Sequence, residues 1–152
     1  MDKRQCANHL QSMTTFPARS PAEKVGGVVY FGRMLDKIRA HHRGELPADW
    51  IPNLGKGFDG RCLRFLAIDY QELIDRVLNQ SGSDEEILQW AFARGRKPSE
   101  EHIEVWNEFM RKCGWNDELT PTLERRKRES GFEDCDEIQT MFQYIDADEG
   151  RA

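Results

Sequence analysis

Nowhere in the 152 residues is there an uninterrupted apolar stretch approaching the ~20 residues of a membrane span. The first ten residues, Met1 to Leu10, also lack the continuous apolar core of a secretory signal, so the expectation is a cytoplasmic chain without a membrane partner. Cysteine is scarce and scattered. Cys6, Cys62, Cys113 and Cys135 stand singly with no C-x-x-C pair, which excludes a zinc knuckle or redox dithiol by spacing and points to reduced thiols packed as small hydrophobes. His9, His41, His42 and His102 form neither H-x-x-x-H nor H-E-x-x-H, so neither a metal site nor a cofactor is expected from motif spacing. Positive charge is not in excess either. With 27 acids against 22 bases the net charge is −5, which repels polyanions and argues against general nucleic-acid binding.

What is present is charge of both signs and enough aromatic mass for one core. Hydrophobic residues at 38% and charged residues at 32% describe a surface-rich, helix-leaning chain rather than a disordered one. At this length the chain makes one domain. Residues 1–18 are polar and aperiodic and read as a mobile leader; 19–149 read as the domain and 150–152 as a tail.

The helix signals are punctuated along the chain. Ser20-Pro21-Ala22-Glu23 has the form of an N-cap with Pro at the first helical position and a capping Glu, predicting a helix to about Arg43, before Gly44. Within it Gly26-Gly27 suggests close approach of another element. Residues 45–58, with two prolines and Trp50, read as a long ordered loop. Asp59 then caps a helix carrying Cys62, Phe65 and Leu66, and Asp69, Ser83 and Ser99 cap the next three. Thr120-Pro121 opens a very polar helix, and Asp134 with Glu137 predicts the cap of a last one burying Ile138, Met141, Phe142 and Ile145. The expectation is all-α: a single compact domain of about seven helices in an irregular helical bundle.

Two places break this pattern with polar groups. Gly55-Lys56-Gly57-Phe58-Asp59-Gly60 fits G-x-G-x-x-G, but no strand precedes it, so a dinucleotide fold is excluded. Glycines before a helix, with Lys56 and Arg61 alongside, remain a candidate anion cradle made of Lys56, Gly57, Asp59 and Arg61, unless Asp59 already fills those donors as a cap. In the first helix, phase counted from Val25 puts Arg39 inside the apolar stripe, with Asp36 three residues before it and His42 three after. Asp36, Arg39 and His42 are therefore either a structural ion pair beside a helix-end histidine or a polar pocket. The run Arg125–Arg128 is flanked by acids and reads as a solvated face, with an RNA contact as the lesser alternative.

In Arg19-Ser20-Pro21, Gly26-Gly27, Arg33 to His41, Gly55 to Cys62, Ser83 to Trp90, Trp106-Asn107 and Ile145 to Arg151, over residues 19–151, the chain resembles a bacterial family known as domain of unknown function 5069. The resemblance implies a small helical bacterial protein and assigns no activity. The leading functional expectation is a non-catalytic module, without assigned catalytic residues, that binds a small anion or a protein partner. Its site would lie between the 55–61 loop and the Asp36/Arg39/His42 side of the first helix. The alternatives are an enzyme using His42 as acid/base with an Arg39/Lys56 anion site, and an RNA-contacting protein.

Overall fold

The three capping signals in the middle of the chain set its helical framework, as the computed structural model of residues 16–151 shows. Asp69, Ser83 and Ser99 each accept a hydrogen bond from the backbone N–H three residues on, at Glu72, Glu86 and His102, satisfying a donor that the helix itself leaves free. In chain order the helices are α1 (Phe31–His42), a short 3-10 helix (Ala48–Asn53), α2 (Phe58–Leu66), α3 (Tyr70–Asn79), α4 (Asp84–Arg94), α5 (Glu100–Lys112), α6 (Thr120–Glu129) and α7 (Met141–Asp148). The protein is a compact helical fold, with seven α-helices among the described residues.

Four boundaries differ from the sequence expectation. The helix predicted from Ser20 begins only at Phe31, because the chain before it folds into a hairpin, β1 (Lys24–Val25) against β2 (Val28–Val29), pairing Lys24 with Val29 and Val25 with Val28. Gly26 and Gly27, at φ 52° and 84°, supply the two positive-φ positions of a two-residue hairpin turn. The close approach expected there is real: a Cβ on Gly26 would lie 2.6 Å from a Leu88 methyl of α4. The loop at 45–58 contains the 3-10 helix. The last helix starts at Met141, where Thr140 and Gln143 form the capping box, and Ile138 is buried in the turns before it. The ends are packed more fully than a leader and a tail: Phe16 packs on Trp50, Ala18 is buried, and Arg151 pairs with Asp146 and Glu149. The expectation for residues 1–15 and 152 lies outside the described residues.

The hairpin is clamped by α5. Asn107 accepts from the Val29 N–H and donates to the Gly27 carbonyl, while the Trp106 indole donates to the Val29 carbonyl. The main core gathers Val28, Phe31, Met34 and Leu35 from β2 and α1 against Leu66, Leu73, Leu88 and Met110. A second cluster, with Leu123, Phe132 and Met141, closes under α6 and α7. Cys62 and Cys113 are free buried thiols, as expected; Cys135 is disulfide-bonded, which corrects the expectation of reduced cysteines there.

Candidate functional site

Helix α1 is the polar spine of the molecule. Because side chains four apart share a helix face, Arg33 and Lys37 both enter the interior. Arg33 is 1% exposed and donates two hydrogen bonds to Glu149, at 2.7 and 2.6 Å. Burial alone pushes its guanidinium down, and Glu149 more than reverses this, holding it above an arginine's ordinary value.

One turn on, the Lys37 ammonium lies 2.8 Å from the Asp59 carboxylate. Asp59 is fully buried and also accepts from the Tyr30 hydroxyl at 2.7 Å and the Gly55 N–H at 3.0 Å. Burial lowers Lys37 despite that carboxylate, and burial beside the same charge raises Tyr30. Tyr30 itself has φ 74°, the left-handed conformation that turns β2 into α1.

The predicted site residues divide accordingly. Asp59 is no N-cap: the cap position is Gly57, and Asp59 sits inside α2 as the anchor of the loop to α1. The loop N–H at Gly55 is thereby occupied by an internal carboxylate. Lys56 and Gly57 are exposed. Arg61 lies between the rings of Phe58 and Phe109, at 5.6 and 5.4 Å, and pairs with no carboxylate among the described residues.

Asp36 and Arg39 form part of a half-buried four-residue network on another side of α1. Arg19 bridges Asp36 and Asp84, and Arg39 reaches Asp84 at 2.7 Å and Asp36 at 3.6 Å. Arg39 is thus at the rim rather than in the core; phase counted from Val25 fails because the helix does not extend back to that residue. The network holds Asp84 below its ordinary range: burial opposes the shift, and Arg39 and Arg19 outweigh it. No hydrogen bond or ion pair among the described residues joins His42 to these groups or to Lys56.

Instead His42 lines a cavity of about 310 Å³ with Ile38, His41, Tyr70, Ile74 and Leu78. The floor is aliphatic, and no hydrogen bond among the described residues engages either imidazole or the Tyr70 hydroxyl. The 55–61 loop adjoins this cavity through Tyr70, whose ring lies so close to Gly55 that a Cβ there would be 2.8 Å from Cδ2. Burial, then the Asp59 charge, pushes the Tyr70 phenol up to about 12, so it stays a hydrogen-bond donor at neutral pH. The run Arg125–Arg128 is not a uniform solvated face: Arg125 pairs with Glu129, and Lys127 turns inward to the Ile138 carbonyl.

Sequence reasoning missed Arg33, Lys37, Tyr30, Glu149 and Tyr70. Only the i, i+4 spacing of Arg33 and Lys37 on a helix otherwise rich in apolar residues hinted at the first two.

The buried acids predict an alkaline limit to stability. Burial raises Cys62 well above a thiol's ordinary 9.0 and Tyr30 above a phenol's 10.0, so the folded state keeps protons the unfolded chain releases. Their contribution is complete below pH 9 and is lost as pH rises further. Lys37, lowered from 10.5, acts in the opposite sense up to that value, one group against several. The urea midpoint should hold from neutrality to about pH 9 and then fall; a flat midpoint to pH 11 would contradict this.

A family model described as a domain of unknown function (DUF5069) matches residues 15–151. Among curated proteins none matches.

Proposed function

We propose, for a chain that belongs to the DUF5069 family, that it is a non-catalytic binding module for a small ligand with an apolar body and a carboxylate. The ligand occupies the cavity between the C-terminal end of α1 and α3. The observation that carries this reading is the pairing of an aliphatic floor, Ile38, Ile74 and Leu78, with three unengaged polar groups, His41, His42 and Tyr70. Ligand sites have this composition: apolar walls that hold the body, and a few polar groups that fix one end. His41 and His42 both stand in the last turn of α1, where their ring N–H groups can donate hydrogen bonds to a carboxylate.

An enzyme built on His42 with an Arg39 or Lys56 anion holder has less support, since Arg39 is committed to Asp84. An RNA contact through 125–128 has less support too, with one of the four bases buried.

Calorimetric titration with acetate, butyrate, hexanoate and benzoate tests the proposal. Affinity should grow along the aliphatic series, by at most about 0.8 kcal/mol for each added methylene that becomes buried. The double variant His41→Gln, His42→Gln should bind at least tenfold more weakly while melting at the same temperature. Binding by none of the series, or undiminished binding by the double variant, would refute it.

A further inference from the structure

Helix α5 carries one apolar stripe too many. Its inner face buries Trp106 and Met110, as an amphipathic helix should, yet Val105 and Phe109, one turn apart, are 62% and 52% exposed. They belong to one feature, a groove of about 320 Å³ completed by Phe65, Pro98, Trp106, Arg96 and His102. Its floor is ordered: the Phe65 and Trp106 rings stack at 4.6 Å and 4°. Single exposed hydrophobics are ordinary on a protein surface, whereas a contiguous apolar groove with a polar edge marks an interaction site.

The edge specifies the partner. Arg61 does not line the groove but lies beside it, between the rings of Phe58 and Phe109, with a single hydrogen bond among the described residues, to the Cys113 sulfur at 3.5 Å. Arg96 donates only to the carbonyls of Phe65 and Arg64 at the end of α2. Neither has a carboxylate partner among the described residues, so both guanidinium charges beside the groove stay open to one. Glu108, next to Phe109, is held by Arg111 and Lys112.

We infer that the α2–α5 groove docks a segment of another protein that inserts one aromatic or aliphatic side chain and carries carboxylates beside it. The apolar side chain fills the space over Phe65 and Trp106, and the carboxylates reach Arg61 and Arg96, where an arginine and a carboxylate can form two parallel hydrogen bonds. Nucleic acid fits less well, because the chain is acidic overall and the groove itself is apolar. None of the groove residues lines the His41/His42 cavity, so the inference stands apart from the ligand proposal.

The test uses three fluorescein-labelled twelve-residue peptides in anisotropy titrations: a central Phe-Leu pair flanked by Asp and Glu, the same pair flanked by Lys, and Ala-Ala flanked by Asp and Glu. The first should bind, and the other two at least tenfold more weakly. Phe109→Ser should weaken the first at least tenfold, and Arg61→Glu should move preference towards the Lys-flanked peptide. Phe109 is exposed and Arg61 half-buried, and circular dichroism will verify that the variants fold. Equal binding of all three peptides, no binding of the first, or indifference to Phe109→Ser would overturn the inference. So would a concentration-dependent dimer abolished by Phe109→Ser, which would assign the groove to a second copy of this chain.

Discussion

Replacing Glu149 by Gln should cost about 3–5 kcal/mol of stability, because it preserves shape while leaving the Arg33 guanidinium buried without a counter-charge. Both side chains are almost wholly enclosed, at 1% and 3% exposure, so water cannot take over for the lost carboxylate. The remaining partners of Arg33 are weaker: the Arg19 carbonyl at 3.2 Å and the rings of Phe16 and Trp50 at 5.2 and 5.6 Å. None supplies negative charge in full. The pair itself is a different matter from its rupture. Removing both charges, as Arg33→Met with Glu149→Met, should be markedly less damaging than Glu149→Gln alone, since desolvation of the two ions offsets most of their attraction. Urea unfolding of the three proteins measures this. A Glu149→Gln variant within 1 kcal/mol of the wild type would mean that the pair is not buried in solution.

Asp59→Asn should be comparably severe, at about 3–5 kcal/mol, since it leaves the Lys37 ammonium without a counter-charge, with only the Tyr30 hydroxyl at 3.3 Å, and replaces one of the two oxygens that accept from Tyr30 and Gly55 by an NH2. Lys37→Met should cost less: Asp59 then keeps the Tyr30 hydroxyl and the Gly55 N–H, two of its three partners. That asymmetry separates a carboxylate that organises a loop from a simple ion pair. It also has a local signature. With Gly55 released, the loop no longer presses on Tyr70, so hydrogen exchange should rise at Gly55–Gly57 before it rises in α4 or α5. Equal losses for the two variants, or unchanged exchange at the loop, would contradict the assignment.

Much of the framework was legible because it is written in local chemistry. Asp69, Ser83 and Ser99 cap helices through backbone N–H groups three residues away, and Ile87, Leu88, Ala91 and Phe92 are buried at helical spacing as expected. Ser20-Pro21-Ala22-Glu23 satisfied the same local rules and misled. The serine hydroxyl is instead held by Asp146 of α7, and the Gly-Gly pair that follows is used as a turn. Val28 and Val29 form the second strand of the hairpin, but a ladder of two residue pairs is stabilised by α5, which no nearby residue announces.

The candidate site was legible only in part. The 55–61 loop and the side of α1 are joined, yet by Lys37 and Tyr30 rather than by Arg39. His42 does line a cavity, with Tyr70 and His41 as its polar companions.

By itself, the sequence determined that this chain is helical, where most of its helices start, and which apolar residues face inward, since each follows from contacts within about four residues. Only the tertiary structure decided which charges are buried. Arg33 meets Glu149 across 116 positions and Lys37 meets Asp59 across 22, and a carboxylate that far along the chain leaves no periodic trace. The same holds for the aromatic groove, because the stacking of Phe65 on Trp106 and the approach of Arg96 join residues far apart in the chain beside the outward Val105 and Phe109.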